Sequence, residues 1–142
     1  MAREQFRFSH PLRVRWAEAD MQGVVFNAHY LLYFDVGITE YWRALADGDP
    51  QRLREIFNHL YVVKSTVEYR APAHFDDELE VCVRTERIGR SSLTVQFEIH
   101  RGSEHLISGE NVYVHAHEGA SSPVPGAFRE LLREFEIVKP QE

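Results

Sequence analysis

Residues 30–46 carry a helical pattern that is apolar almost all the way round, and this segment dictates the rest of the architecture. Tyr30, Leu31, Phe34, Ile38, Tyr41, Trp42 and Leu45 recur at three- and four-residue spacing, the period of a buried helical face. Leu32, Tyr33, Val36 and Ala44 fill the other side, leaving Asp35, Thr39 and Arg43 as a thin polar stripe. A helix this apolar has to be covered over most of its circumference. At 1.5 Å per residue it extends ~27 Å, the length of an eight-residue strand at roughly 3.3 Å per residue.

Strands of that length surround it in the sequence. Residues 6–16 alternate at Leu12, Val14 and Trp16, with Pro11 marking an edge or a bulge. After the helix, Gly48 is expected to supply a left-handed cap, and Asp49-Pro50 to restart a short helix to about His59. The period then changes to two. Tyr61, Val63, Ser65, Val67 and Tyr69 are predicted to share one buried face, as are Leu79, Val81, Val83 and Thr85, and then Leu93, Val95, Phe97 and Ile99. Turns fall at Gly89-Arg90 and Gly102-Ser103. A last strand, residues 105–116, is expected to bury Val112, Val114 and Ala116 and to bulge at Gly109. Residues 118–125 form a connection, and Phe128, Leu131, Leu132 and Phe135 predict a short terminal helix. Short turns make the sheet antiparallel, with the four later strands in a meander. The expectation is a single α+β domain over residues 1–142, a curved sheet around a long helix. Any apolar side left uncovered calls for a second copy, hence a homodimer or homotetramer.

The formal charge of −6 argues against a nucleic-acid partner. No apolar run approaches the ~20 residues that cross a bilayer, and MAREQFRFSH lacks the apolar core of a secretory signal. The single cysteine, Cys82, sits mid-strand and is read as structural; together these features point to the cytoplasm. There is no P-loop, G-x-S-x-G or G-x-G-x-x-G. His115-x-His117 sets two imidazoles on one strand face without a third ligand at a recognisable spacing, so no metal or cofactor is expected.

The acids ahead of the helix, Glu18 and Asp20, are the candidates for chemistry. Gly23 lets backbone approach closely there, and Asn27 is expected to cap the helix. Asp20 can equally be a turn former. Asp20-x-x-Gly23-x-x-x-Asn27-x-x-Tyr30 followed by an apolar helix resembles the signature of the hotdog-fold acyl-CoA thioesterases of the 4-hydroxybenzoyl-CoA thioesterase type. The likeness extends over nearly the whole chain, through Tyr69-Arg70-Ala71-Pro72, Arg87-Ile88-Gly89-Arg90-Ser91-Ser92 and Ser122-Pro123-Val124-Pro125. It implies the hotdog fold, a five-stranded sheet wrapped around the helix and joined pairwise between subunits, with Asp20 catalytic at the subunit interface. The chain departs from the branch associated with the Tol-Pal envelope system, which resembles it but carries tyrosine and histidine at the positions of Trp16 and Asn27. Another branch uses a helical glutamate, for which Glu40 is the nearest counterpart.

A thioester suits so spare a site. Its thiolate leaving group, with a thiol pKa near ~8.5, departs without much help from a general acid. Asp20 could attack the carbonyl or activate water. Amides near Asn27 and Ala28 would hold the developing oxyanion, and His29 or Tyr30 would line the pocket. For the phosphates of coenzyme A, Arg90 beside Ser91 is the first choice, then Arg70 and Arg87. The competing expectations are hydration or dehydration of an acyl thioester, and a non-catalytic acyl binder that does not need Asp20.

Overall fold

The central helix forms where the spacing predicts. In the computed structural model, which describes residues 2–142, α1 spans His29–Ala46 and buries Tyr30, Phe34, Ile38, Tyr41, Trp42 and Leu45, and also Tyr33 and Gly37. Asn27 does not cap it. Ala28 occupies the N-cap, already in helical conformation and without a side-chain cap bond. The chain enters through a turn in which the His29 amide donates to the Phe26 carbonyl at 2.9 Å. A capping side chain needs extended backbone, and this turn removes it. At the far end Asp47 takes the first left-handed position (φ 50°) and Gly48 the next. Asp49 then caps α2, Pro50–Phe57, by accepting from the Gln51 and Arg52 amides.

The strands are β1 (Phe8–Arg13), β2 (Leu60–Tyr69), β3 (Glu78–Ile88), β4 (Ser92–Arg101) and β5 (Glu104–His117), in the order β1-β3-β4-β5-β2. Neighbours are antiparallel throughout. The meander therefore holds for β3, β4 and β5 alone. β1 occupies the free side of β3, and β2 crosses to pair with β5 as an edge. A two-residue strand, β6 (Ala120–Ser121), adds to the end of β5 within the expected connection. α3 spans Gly126–Phe135. Phe6, Val14 and Trp16 fall outside β1, and Trp16–Glu18 forms a 3-10 turn instead.

Two close approaches seat α1 on the sheet. A Cβ at Gly37 would come within 2.6 Å of Val81 Cγ1, and one at Gly109 within 2.2 Å of Phe34 Cζ. Phe34 also stacks on Phe97 at 4.4 Å. Gly109 is thus a contact position and not a bulge, which corrects both the bulge and the face of β5. Because residue 109 faces the helix, so do Ile107, Asn111 and Tyr113, which are buried, while Val112, Val114 and Ala116 are only half-buried.

The irregularity on β2 lies between Val62 and Lys64. Val62 pairs with Tyr113, Ser65 with Asn111 and Val67 with Gly109, so Val62, Ser65, Val67 and Tyr69 share the helix side, and Tyr61 and the unpaired Val63 drop out of the expected set. No residue of β2 is buried, although Tyr61, Val62, Val63 and Tyr69 are large and apolar. Its outer edge has no strand against it among the described residues.

Cys82 and Glu136 both lie deep. Cys82 of β3 is fully buried against Phe6 on the sheet face turned away from α1, and burial pushes its thiol up to about 12, in keeping with a structural role. Glu136 follows α3 and accepts from the Tyr41 hydroxyl and, at 2.8 Å, from the Thr85 amide.

Candidate active site

Asp20 sits at a tight reversal. Its amide donates to the Val24 carbonyl at 2.8 Å, the Gly23 amide returns to the Asp20 carbonyl at 3.0 Å, and Gly23 takes the positive φ of 79° that closes the turn. One carboxylate oxygen, Oδ1, accepts from the Gln22 amide at 2.8 Å, so the turn-forming role is real. The other oxygen has no protein hydrogen bond among the described residues, and the side chain is exposed.

The reversal is tied down from three sides. Val25 donates to the Ala73 carbonyl at 2.9 Å, Phe75 donates to the Gly23 carbonyl at 3.0 Å, and Phe26 donates to the Glu18 carbonyl at 3.0 Å. Tyr30, buried in the first turn of α1, accepts from the Ala73 amide at 3.1 Å through its hydroxyl. Burial raises its pKa. It packs edge-on against Tyr69, whose hydroxyl donates to the Asn27 carbonyl at 3.3 Å.

Glu18 has the opposite environment to Asp20. It is 2% exposed and accepts from the Arg15 amide (2.8 Å), the Arg15 guanidinium (2.5 Å) and the Tyr33 hydroxyl (2.9 Å). Burial alone would raise its pKa, but these donors and the Arg15 charge outweigh it and hold the carboxyl below its ordinary value. A carboxylate saturated in this way braces the loop and is unsuited to attack. Of these donors only Arg15 is local in sequence; Tyr33 arrives from the helix.

The Asn27 and Ala28 amides have no hydrogen-bond acceptor among the described residues, and both residues are exposed. Open amides ahead of a helix of eighteen residues attract negative charge. Trp16 and Phe75 are in edge contact (4.9 Å), and Met21, Phe26, Leu31 and Leu32 of the loop and the helix start are exposed. Glu40 is not part of this group; it pairs with Arg43 at 3.3 Å. His29 is half-buried beside Phe26.

Arg90 and Ser91 lie elsewhere. They form the β3–β4 turn, whereas Val24 bridges His74, just before β3 begins. The eleven residues of β3, roughly 35 Å at 3.3 Å per residue, separate these ends within one chain. The turn is held by Val124, which donates to the Arg90 carbonyl at 2.9 Å, and by His115, which donates to the Ser91 carbonyl at 2.8 Å. Arg70 lies on the outer sheet face, and Arg87 bridges Gln141.

His115 and His117 are joined by a third imidazole, His59, with ring centroids 5.4 Å from each. They edge a cavity of about 490 Å³ whose apolar wall includes Ile56, Leu60, Phe128 and Leu131. His59 carried no sequence signal, since it precedes a strand edge far from the His-x-His pair.

Residues 22–108, more than half of the chain, match the family model of the thioesterase superfamily. The chain belongs to the thioesterase superfamily. The matched stretch begins two residues after Asp20 and takes in the helix and most of the sheet. The acyl-CoA thioester hydrolase YbgC of Escherichia coli O6:H1 is 31% identical over 107 residues, 75% of this chain and 79% of that protein. The acyl-CoA thioesterase YbgC of Haemophilus influenzae is 38% identical over 92 residues, 64% of this chain and 65% of that one. A thioesterase from Thermus thermophilus, solved in complex with coenzyme A and Zn, superposes with a TM-score of 0.84 at 32% identity, covering 94% of this chain and 96% of that one. The fold is the hotdog fold, and the protein is a thioester hydrolase.

Proposed function

We propose that the protein hydrolyses an acyl-CoA thioester to the free acid and coenzyme A, with Asp20 as nucleophile or general base. The observation that carries this reading is the pairing of an exposed, half-free carboxylate with the open Asn27 and Ala28 amides, where the same hairpin runs into α1. A carbonyl oxygen lodged against those amides develops its negative charge where donors already wait, an effect worth ~3 kcal/mol for one such donor. Asp20 then attacks the carbonyl carbon or takes a proton from water, and the thiolate leaves. Gly23 keeps the approach open, and Tyr30 holds the helix start against the Ala73 backbone in the β2–β3 loop. The relatives' named substrate class supports coenzyme A as the carrier. The single cysteine supports a cytoplasmic setting.

The same reading uses a second copy of the chain. β2 offers an unpaired edge and exposed apolar side chains, and an open edge of this kind pairs readily with its own twofold copy. Centring an antiparallel pair on Thr66 sets Lys64 of each copy against Glu68 of the other, a complementary register. It also brings the start of one β2 to the end of the other. Leu60 pairs with His115, whose amide holds the Arg90–Ser91 turn, and Tyr69 reaches Asn27. Arg90 and Ser91 of one copy then face the Asp20 end of its neighbour, which supports them as the phosphate contacts.

Thiol release from a panel of acyl-CoA esters, with product mass determined, tests the assignment. Equal yields of free acid and coenzyme A are expected for at least one ester. A hydrated acyl-CoA with the thioester intact, or tight binding without turnover, would overturn it.

A further inference from the structure

The sheet face turned away from α1 carries a buried group that the thioesterase reading leaves unused. Glu98 and His100 of β4 and His105 of β5 lie together there, Glu98 7% and His100 6% exposed. A local irregularity assembles them. Ile99 pairs with Ile107, but His100 pairs with His105, so Leu106 is left over and the two histidines come face to face. Their rings stack at 4.8 Å. Glu98 Oε1 lies 2.8 Å from His100 Nε2 and 3.9 Å from His105 Nε2. No lysine or arginine pairs with this carboxylate among the described residues. A carboxylate this far out of water needs positive charge nearby.

We propose that Glu98, His100 and His105 bind one divalent d-block cation, zinc being the ion their donor set suits. Two imidazoles and a carboxylate are a common zinc triad, leaving a fourth position for water. Donors held at ~2.0–2.1 Å on a tetrahedral ion stand about 3.3 Å apart. The contacts of 2.8 and 3.9 Å bracket that separation, and all three donor atoms already lie within 4.8 Å of one another. Coordination through both Nε2 atoms leaves each ring its proton on Nδ1. His105 gives up its contacts with the Ile107 carbonyl and the Ser108 hydroxyl, each 2.9 Å from the same nitrogen. The open position faces the groove lined by Glu68, Arg70, Arg84 and Glu110. The sequence hides this triad because its third member lies across a turn.

Calorimetric titration of chelator-treated protein with zinc alone tests the site. Uptake of one zinc per chain is expected, weakened by about tenfold or more in His100→Ala and in Glu98→Gln and unchanged in His115→Ala, with far-UV circular dichroism confirming the fold of each. Zinc X-ray absorption on the wild type at one equivalent should report two imidazoles with oxygen donors, a reading that does not depend on any variant folding. Absence of saturable uptake, a different imidazole count, or binding that survives in His100→Ala and is lost in His115→Ala would overturn the proposal.

Discussion

Tyr33 donates its hydroxyl to Glu18 Oε1 at 2.9 Å, and through this contact the middle of the first helical turns is fastened to the loop that carries Asp20. The helix thus sets the position of Asp20, the proposed reactive acid, through its neighbour two residues away. In the proposed mechanism Glu18 shapes the site without taking part in the chemistry.

Glu18→Gln is therefore expected to destabilise the protein by about 1–3 kcal/mol, because an amide nitrogen would face buried donors in place of an accepting oxygen. The pH dependence follows from the lowered folded pKa. Below that value both folded and unfolded forms are protonated and the contribution is gone. It grows as pH rises and is complete above the ordinary glutamate value. Denaturation midpoints from pH 3 to 7 should show a shallower acid limb in Glu18→Gln than in the wild type. Parallel curves would exclude this account.

Glu136 behaves in the opposite sense. Burial raises its pKa, and the Tyr41 and Thr85 hydrogen bonds only partly offset that. Its contribution is present below the unfolded glutamate value and is lost as pH rises through the raised folded value, so at neutral pH the ionised group is a burden. Glu136→Gln keeps an oxygen for Tyr41 and Thr85 and should equal or exceed the wild type in stability at pH 7 while losing its advantage at pH 4. Glu136→Leu strands the Thr85 amide and should cost about 1–3 kcal/mol. Chemical denaturation at the two pH values decides it.

At Gly109 a methyl group would run into the Phe34 ring. Gly109→Ala is expected to cost about 1–3 kcal/mol through overpacking. Adding Phe34→Leu should recover part of this, giving a coupling of about 0.5 kcal/mol or more in a double-mutant cycle. Strict additivity would mean that the ring is free to move aside.

This glycine also explains which parts of the fold were legible. The helix could be read because its apolar residues recur over many turns, and β3 and β4 because Val81, Val83, Val95 and Phe97 alternate without interruption. β5 misled because its inward face carries Gly109 and Asn111 while the outward face carries Val112 and Val114; the decisive partner, Phe34, is distant in sequence. The extra residue near Val63 likewise reverses the alternation of β2 partway along. Glu18 and Asp20 look alike on paper, and only Tyr33 and Arg15 distinguish them. His59 joins His115 and His117 through tertiary contact alone, as His105 joins Glu98.

Lys64→Glu places like charges opposite each other in the proposed β2 register, and should shift the protein from dimer toward monomer in sedimentation. Lys64→Glu combined with Glu68→Lys restores the opposition and should restore the dimer. If the single variant stays as associated as the wild type, the register centred on Thr66 is wrong.

Asp20→Asn sets the two roles of Asp20 against each other. The asparagine oxygen can still accept from the Gln22 amide, which Oδ1 meets at 2.8 Å, so the turn and the melting temperature should be nearly unchanged. An amide is neither a competent nucleophile nor a base. Turnover of the preferred ester should therefore fall by about 10² or more, the range expected for loss of a general acid–base group, while substrate binding persists. Glu40→Gln is the matched control, since Glu40 pairs with Arg43 away from the loop, and should keep most of its activity. Glu18→Gln is no such control, because its effect arrives through stability. Near-normal kcat in Asp20→Asn with a collapse in Glu40→Gln would transfer the chemistry to the helix; activity in both would remove the carboxylate mechanism altogether.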